Sequence, residues 1–276
     1  KPIFINGFHR YCEAMYDIFD PEIKYFDKDI FKFVVIKNVL TKYETNFIIN
    51  EAEEYAQMFE WTTKRHEMYP TTDISTFDIP MLNFFLQNIA YRRIIPIMEN
   101  IYGFNMNQLG LDDSFIVKYQ YKKNKQKGLE IHADDSQFSF VIALNNEFNG
   151  GGTTFENRFL YKTYNNTDKS TNYNYTIYEL IYSDESFHFD IETGDALLFV
   201  GRHRHLGKSI TNGIRYIWTG FLSLLYKNAC EDTLSLKWDQ YIMANHPFKC
   251  YNDKYYQQIW LDLWKFSDII YGPEGL

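Results

Sequence analysis

The chain has 276 residues, of which 45% are hydrophobic and 19% aromatic, so it can bury a large core and is not intrinsically disordered. Its net charge of −8 argues against a nucleic-acid-binding protein, which usually presents a basic face, although a local basic stripe is compatible with that total. No apolar run approaches the roughly 18–20 residues that a membrane span needs.

The cysteines and the first residue bear on the compartment. Cys12, Cys230 and Cys250 are widely spaced and include no CxxC pair, so they predict neither a disulfide framework nor a thiolate zinc site. We therefore favour a reducing compartment, the cytoplasm. Because the chain begins at Lys1 and not at Met, we interpret it as trimmed, and a secretory leader upstream stays an open alternative.

The first 110 residues are predicted to be mainly helical. After a strand in "FKFVVIKNVL", a helix is predicted to begin at Thr41, with Glu44 in capping-box spacing and apolar residues at helical intervals. A polar, Pro-containing segment follows at residues 62–74. "IPMLNFFLQNIAYRRIIPIMENIYGF" is a second helical stretch, which Pro96 is predicted to restart or kink.

From residue 111 the hydrophobic period becomes that of strands. The predicted strands are "SFIVKYQY", "QFSFVIALN", "TIYELIYS", "FHFDI", "DALLFVG" and "IRYIWTGFLSLLY". Turn chemistry separates them, and the glycines of "NGGG" predict a tight turn that needs positive φ. Residues 160–187 contain the polar stretch "LYKTYNNTDKSTNYNY", which we interpret as a surface insertion in the sheet.

Helices followed by a block of strands predict an α+β, mainly β fold, a sandwich or barrel buttressed by N-terminal and C-terminal helices. The chain shows no internal repeat and no linker, so we predict a single domain over residues 1–276. It comprises a helical support region (1–110), a β core (111–226) and a C-terminal helical extension (227–276).

A metal site is predicted from "LEIHADD" and a later pair of histidines. His132 and Asp134 project to the same side of an extended chain, because side chains alternate with period two. They supply two of the three ligands of a facial triad, which leaves open positions on Fe(II). "GRHRHLG" offers the third, but strand parity does not distinguish His203 from His205, since both face the same way.

Arg215 is a candidate anion clamp. Iron oxygenases that use 2-oxoglutarate need a cation for its distal carboxylate, and a guanidinium binds a carboxylate bidentately. If "TNG" forms a three-residue hairpin loop, His205 and Arg215 share one face of the hairpin. A two-residue Asn-Gly turn would place them on opposite faces.

The order of these motifs resembles the 2-oxoglutarate- and Fe(II)-dependent oxygenases of the prolyl and lysyl hydroxylase group. H-x-D is followed by "FNGGGTTF", "GDALLF" and "RHLGKSITNGIRYI", and the resemblance covers about residues 112–225. In that family the last metal histidine stands ten residues before the basic residue that binds 2-oxoglutarate, which implies His205 as ligand and Arg215 as clamp. It also implies that Tyr119 lies against 2-oxoglutarate. Arginine at the clamp position is more similar to lysyl hydroxylases.

The resemblance implies a double-stranded β-helix, a relative of jelly rolls and cupins. It implies a dioxygenase that uses Fe(II), 2-oxoglutarate and O2, with ascorbate as reductant, and releases succinate and CO2. The implied reaction hydroxylates a C–H bond of a prolyl or lysyl side chain in a peptide or protein. It also places residues 62–74 near the active-site mouth, where His66 is a candidate; a solvated loop is the alternative.

Three other functions fit parts of the pattern. A non-catalytic binding module of the same fold usually loses a ligand or the clamp, whereas His132, Asp134, His205 and Arg215 are all present. A nucleic-acid demethylase would have a second arginine soon after Arg215, and this chain has none there and is acidic. A zinc hydrolase would need a general base beside the metal, which the motifs do not offer. The sequence does not indicate an oligomeric state.

Overall fold

A computed structural model describes residues 32–224, apart from 67, 103–108, 135, 137, 156–157, 169–172, 184–185 and 202. The predicted C-terminal helices lie outside the described residues, as do residues 1–31, so the predicted domain organisation stays a prediction. None of the helices in the described part is both long and apolar enough to cross a membrane.

Antiparallel strands form two sheets. The larger has the strand order β2-β3-β13-β5-β11-β1-β9-β8, with β6 also paired to β13, and the smaller has the order β10-β7-β12-β4. The strands of the described part are β1 (Lys32–Ile36), β2 (Asp73–Ser75), β3 (Leu109–Gln120), β4 (Leu129–His132), β5 (Phe138–Ala143), β6 (Phe148–Gly150), β7 (Thr153–Phe155), β8 (Arg158–Asp168), β9 (Tyr173–Ser183), β10 (Phe187–Phe189), β11 (Ala196–Val200), β12 (His205–Gly207) and β13 (Ile210–Leu224).

The way the chain passes between the sheets defines the fold. Strands β3, β5, β11 and β13 form the middle of the larger sheet, and β4, β7, β10 and β12 form the smaller one. Along the chain β3, β5 and β11 each alternate with strands of the smaller sheet, and β12 crosses once more before β13. This is the double-stranded β-helix, so the predicted fold class is confirmed.

Helices from the first part of the chain pack against the larger sheet. They are α1 (Lys42–Phe59), α2 (Pro80–Ile89) and α3 (Ile95–Tyr102). Their apolar residues belong to the same hydrophobic core as β5 and β11, which are buried along their whole length. Strands covered on both faces read as continuous apolar runs and not as alternating ones. The predicted support by N-terminal helices is therefore confirmed.

Local sequence signals correctly predicted where α1 and α3 begin. The capping box at α1 is present, because the Thr41 hydroxyl accepts from the Glu44 N–H at 3.2 Å and the Glu44 carboxylate accepts from the Thr41 N–H at 2.7 Å. Pro96 stands at the start of α3, after a π-helical turn at Ala90–Ile94. The wider turn accommodates the backbone carbonyl that a proline leaves without a donor, so the helix restarts there as predicted.

Two details of the sheet could not be obtained from the sequence. The polar insertion after residue 160 lies at the edge of the larger sheet, but it is not an irregular loop: β8 and β9 pair over eleven residues each and extend this sheet beyond β1. Tyrosine and threonine have high β propensity, which the polar neighbours masked. "TNG" is not a hairpin loop either, because it lies inside β13 and pairs with β6, while β12 and β13 belong to different sheets.

A buried ion pair fastens α1 to the turn before α3. Arg93 donates to Glu44 at 2.8 Å, and both side chains are about nine-tenths buried. We expect Glu44→Ala to lower the free energy of unfolding by about 3 kcal/mol, because it removes the cap and leaves a buried guanidinium unpaired. Urea unfolding measures the change, and Glu54→Ala on the exposed face of α1 is the control. Equal stability of the two variants would contradict this role.

Candidate metal centre

Backbone pairing brings the three predicted ligands together. His132 ends β4 and His205 begins β12, and the two residues are direct antiparallel partners. Asp134 follows β4, and its N–H donates to the carbonyl of Gly201 at 2.8 Å. The candidate ligand atoms of His132, Asp134 and His205 all lie within 4.8 Å of one another.

Each histidine is oriented by a main-chain carbonyl. Nδ1 of His132 lies 2.7 Å from the Glu130 oxygen, and Nδ1 of His205 lies 2.8 Å from the His203 oxygen. Because a carbonyl only accepts, Nδ1 carries the proton and Nε2 presents its lone pair. The two Nε2 atoms lie 3.4 and 3.7 Å from Oδ1 of Asp134. Such outer hydrogen bonds fix the ring orientation that a metal needs.

Asp134 is held as an anion in a buried position. Its Oδ2 accepts from the Ser139 hydroxyl at 2.5 Å, and Ser139 is in turn 2.8 Å from the Ser136 hydroxyl. Burial raises the pKa of Asp134, but the interactions of the carboxylate with the His205 and His132 imidazoles and with the Ser139 hydroxyl outweigh burial and hold this pKa below its ordinary value. An ionised carboxylate between two imidazoles is therefore the stable form.

The two histidine pKa values move in opposite directions. Burial lowers the pKa of His205 more than the charge of Asp134 raises it, so this imidazole is neutral near pH 7. Burial also acts to lower the pKa of His132, but its bond to Asp134 outweighs burial and raises this pKa. A metal cation between the three side chains would take the place of the proton that His132 shares with Asp134. Two imidazole nitrogens and one carboxylate oxygen fit an Fe(II) site with open positions.

His203, the other histidine candidate, is not part of this cluster. Its ring packs against Phe33 and Phe155, with centroids 5.1 and 5.3 Å away, and only its carbonyl contacts His205. The alternation of side chains along a strand could not distinguish His203 from His205, because that argument assumes that both residues lie in one continuous strand. The strand begins at His205, and residue 203 lies in the bend before it.

A cavity of about 610 Å³ lies between the sheets and opens onto the three ligands. Arg215 of β13 faces Tyr119 of β3 across the larger sheet, with the guanidinium carbon 5.6 Å from the tyrosine ring centroid. Arg215 is 3% exposed, and its guanidinium donates a hydrogen bond to the Gly152 carbonyl at 3.3 Å. Within the described ranges no carboxylate pairs with this guanidinium.

The protonation of this pair follows from burial. Burial lowers the pKa of Arg215, yet a guanidinium starts so high that it stays charged at neutral pH. Burial raises the pKa of Tyr119 to about 12, so its hydroxyl keeps its proton and can donate. A buried cation that lacks a counter-ion is costly unless an anionic ligand binds there. The cavity therefore has an anion-binding end.

The glycine turn shapes that end of the cavity. Gly150, Gly151 and Gly152 have φ values of 76°, 85° and 86°, as the sequence predicted. A Cβ on Gly151 would lie 3.2 Å from Cδ of Arg215. Two features therefore favour glycine in this turn: its left-handed backbone and its close approach to the Arg215 side chain. Only the backbone requirement could be predicted from the sequence.

Residues 62–74 form a strap across the cavity mouth. The backbones of Thr62 and Asp73 pair in both directions and close the base of the strap. Arg65 donates to Asp73 and to both oxygens of Asp113, each at 2.9 Å, and Thr71 also donates to the buried Asp73. The strap is thus fixed to β3 and is not a solvated loop.

The strap lines the cavity with four residues, His66, Met68, Tyr69 and Thr71. The His66 ring lies 4.9 Å from the Phe115 ring, and the Tyr69 ring lies 5.3 Å from the His132 ring. His66 therefore lies at the mouth, the position that the resemblance implied. Burial lowers its pKa, with the charge of Asp73 acting in the opposite direction.

Several residues of the site were not predicted. They are Ser139, which supports Asp134 from outside the cavity lining, and the lining residues on the inner faces of β3 and β13 beyond the predicted pair. The lining residues of β3 and β13 could have been predicted from the sequence, because they alternate with period two from Tyr119 and Arg215. They are Phe115, Val117, Ile217, Thr219 and Phe221. Ser139 carried no signal, because a serine in an apolar strand reads as an ordinary core residue.

Comparison with known proteins agrees with this chemistry. No protein-family model matches the chain. It is 28% identical over 199 residues to procollagen-lysine,2-oxoglutarate 5-dioxygenase 1 of Rattus norvegicus, a match that covers 67% of this chain and 23% of that protein. It is 30% identical over 96 residues to the 2-oxoglutarate and iron-dependent oxygenase domain-containing protein CP2 of Arabidopsis thaliana, which covers 35% of this chain and 21% of that protein.

The chain therefore spans less than a quarter of the length of these curated relatives. Among solved structures it is similar to the non-heme alpha ketoglutarate dependent epimerase SnoN from nogalamycin biosynthesis, with a TM-score of 0.49 and 14% identity over 69% of this chain and 75% of that one. The curated relatives confirm the resemblance to 2-oxoglutarate- and Fe(II)-dependent oxygenases that the motifs indicated.

The ligand assignment is testable by metal binding. We expect His205→Ala to weaken Fe(II) binding by more than the roughly 10–100-fold that loss of a supporting partner costs, because a ligand itself is removed. His203→Ala should keep the affinity within about twofold, since the carbonyl that orients His205 stays in place. Anaerobic titration calorimetry measures both. A larger loss in His203→Ala than in His205→Ala would reverse the assignment.

Ser139 should matter through Asp134 alone. We expect Ser139→Ala to weaken Fe(II) binding about 10-fold, because the carboxylate loses the hydrogen bond that holds its second oxygen. Ser209→Ala removes an exposed hydroxyl and is the matched control. The same titration applies, with thermal unfolding of both variants alongside. If the two serine variants bind Fe(II) equally well, Ser139 has no such role.

Proposed function

We propose that the chain is a Fe(II)- and 2-oxoglutarate-dependent dioxygenase that hydroxylates a prolyl or lysyl side chain of a peptide or protein, with release of succinate and CO2. One observation carries the proposal: a His-Asp-His donor set shares one cavity with a buried guanidinium that forms no salt bridge with a carboxylate of the described residues. When bound, iron with 2-oxoglutarate and O2 supplies the oxidising power for C–H hydroxylation. The chain positions the reactants and shields them.

The three ligands occupy one side of the metal position. His132 and Asp134 come from the end of β4, and His205 comes from the neighbouring strand β12, so all of them approach from the smaller sheet. A metal ion held by these three residues would keep positions free for the cosubstrate and O2. Arg215 and Tyr119 enter the same cavity from the larger sheet.

Arg215 and Tyr119 account for a dicarboxylate cosubstrate. The guanidinium would pair bidentately with the distal carboxylate of 2-oxoglutarate, and the protonated Tyr119 hydroxyl lies on the same inner face and would be a second donor. The other carboxylate and the keto oxygen would then be available to the metal centre. A monoanion could not satisfy both ends of the cavity.

Apolar side chains exclude water between the two charged ends. Val117, Ile217 and Leu129 line this part of the cavity. Removing water strengthens the electrostatic interactions of the bound anion and protects reactive species from side reactions. The Phe115 and Phe221 side chains line the cavity as well, and they are suited to the aliphatic part of a target side chain.

A protein substrate is supported by the relatives and by the cavity. One relative is named a procollagen-lysine dioxygenase, and arginine at the clamp position is the feature of this chain most similar to lysyl hydroxylases. The acidic chain and the lack of a second arginine near Arg215 argue against a nucleic-acid demethylase. A non-catalytic module of this fold would not need both a complete donor set and an unpaired clamp. Ascorbate as reductant and a cytoplasmic location stay predictions.

The reaction is tested by succinate formation from 2-oxoglutarate. The protein is loaded anaerobically with Fe(II), ascorbate is added and O2 is admitted, with and without a pool of proline- and lysine-containing peptides. We expect succinate to rise with the peptides and one peptide to gain the mass of an oxygen atom. No turnover by a sample shown to contain iron and to bind 2-oxoglutarate would favour the binding module.

Arg215 should determine the 2-oxoglutarate requirement. We expect Arg215→Met to raise the KM for 2-oxoglutarate about 100-fold, because one buried charge-assisted bidentate pair is worth roughly 2–3 kcal/mol. Arg215→Lys keeps the positive charge but loses the bidentate guanidinium, so it should give an intermediate KM for 2-oxoglutarate. Fe(II) affinity, which Arg215 does not determine, reports that each variant is folded. An unchanged KM in Arg215→Met would place the clamp elsewhere.

A further inference from the structure

The loop between β3 and β4 concentrates positive charge beside the cavity. This lysine loop, residues 121–128 with the sequence "YKKNKQKG", holds four lysines in a chain whose net charge is −8. Lys122, Lys123, Lys125 and Lys127 are all exposed. None of them pairs with a carboxylate of the described part of the chain. An acidic protein thus keeps a run of cations that have no carboxylate partner in the described part of the chain, although the Lys127 ammonium lies 4.6 Å from the centroid of the Tyr121 ring.

The lysine loop is held in place by the strap. The Gln126 side chain donates to the Pro70 carbonyl at 2.9 Å and accepts from the Thr72 N–H at 2.5 Å. The Lys127 carbonyl accepts from the Ile210 N–H at 2.9 Å. Because its backbone is already ordered, the loop loses little conformational entropy when a ligand binds to it. The cations are therefore presented on a fixed frame.

A groove of about 490 Å³ runs between the lysine loop and the strap. It shares the lining residues Met68, Tyr69 and Leu129 with the metal cavity, so the two spaces adjoin each other at these side chains. Leu129 precedes His132 by three positions on β4, which corresponds to about 10 Å along a strand. Lys125 lines the groove, and Glu130 is the one carboxylate among its described lining residues. The other lysines stand around it.

We infer that this groove binds an acidic flank of the peptide substrate, so that the lysine loop selects peptides with Asp or Glu near the modified side chain. The inference rests on the proposed function for the identity of the reaction. An extended peptide rises about 3.3 Å per residue, so a flank in the groove stands about three to five residues from a side chain in the metal cavity. Trp61 and Tyr69 supply apolar walls for the same segment.

A single-stranded nucleic acid is the rival occupant, because lysines beside aromatic rings also bind phosphates and bases. The peptide is favoured by charge. A nucleic acid is a long polyanion, so it is repelled by the net charge of −8 of the whole chain. Two or three carboxylates near the lysine loop interact mainly with the lysines within a Debye length of about 8–10 Å. The rival is included in the test.

The first measurement is direct binding, which does not depend on turnover. Fluorescence anisotropy is measured on the full chain with labelled peptides that share a central lysyl or prolyl residue. Their flanks carry Asp and Glu, or the isosteric Asn and Gln, on either side of the centre. We expect about 10-fold tighter binding of one acidic peptide, lost at high salt, because several exposed charge pairs add modest amounts each. Equal affinity of acidic and neutral peptides would overturn the inference.

Variants assign the effect to the lysine loop. Replacing Lys122, Lys123, Lys125 and Lys127 together by Gln should remove the preference for the acidic peptide and leave neutral-peptide affinity and the KM for 2-oxoglutarate within about twofold. The single variant Lys125→Gln has a matched control in Lys42→Gln, an exposed lysine outside the groove. A preference that survives the fourfold replacement would contradict the role of the loop.

The outcomes separate this inference from the proposed function. Peptide-stimulated succinate formation without any effect of flanking charge would keep the oxygenase and overturn the acidic groove. Charge-dependent peptide binding without succinate formation would overturn the oxygenase and keep the groove. Binding or oxidation of a single-stranded oligonucleotide, with no preference for the acidic peptide, would overturn the peptide assignment in favour of nucleic acid.

Discussion

The pairing of β4 with β12 is the interaction on which the whole site depends. It sets His132 directly opposite His205, and the next main-chain bond, from Asp134 to Gly201, continues that pairing past the ends of the strands. The ligands are therefore placed by backbone geometry before any metal binds. Main-chain carbonyls also fix both imidazole rings, so little reorganisation is left for the cation to cause.

The two sheets divide the charges of the site between them. The smaller sheet brings a buried carboxylate, Asp134, and the larger sheet brings a buried guanidinium, Arg215, and the two are not paired with each other. Each charge is costly in a low-dielectric interior unless an opposite charge arrives. A cation at the first and a dianion that reaches from one to the other satisfy both. In the proposed function, the metal ion and the cosubstrate would therefore serve an electrostatic as well as a chemical role.

Sequence patterns predicted the parts of the site that follow from alternation. His132 and Asp134 needed only period two, and the helix start at Thr41 needed only a local cap. Alternation could not choose between His203 and His205, because the choice depends on where β12 begins. It also could not show that β12 and β13 belong to different sheets, since that is a property of the whole topology.

Polar composition was a poor guide to structure in two segments whose order comes from pairing with distant parts of the chain. The polar residues after 160 read as a loop, but β8 and β9 pair with each other and, through β9, with β1. The strap at residues 62–74 also read as polar loop, and its order comes from contacts that are distant in sequence. Arg65 reaches Asp113 across 48 positions, and Gln126 reaches Pro70 across 56. No local pattern contains such contacts.

The buried Asp73 connects the strap to both of its neighbouring spaces. It accepts from Arg65 and Thr71 and pairs with Thr62 through the main chain, while the next bond along, from the Lys118 N–H to the Thr72 carbonyl, joins the strap to β3. One face of the strap closes the metal cavity, and the other forms a wall of the groove beside the lysine loop. A single anchored segment therefore borders both spaces, so in the proposed reaction the same backbone would position the target side chain and its flanking residues.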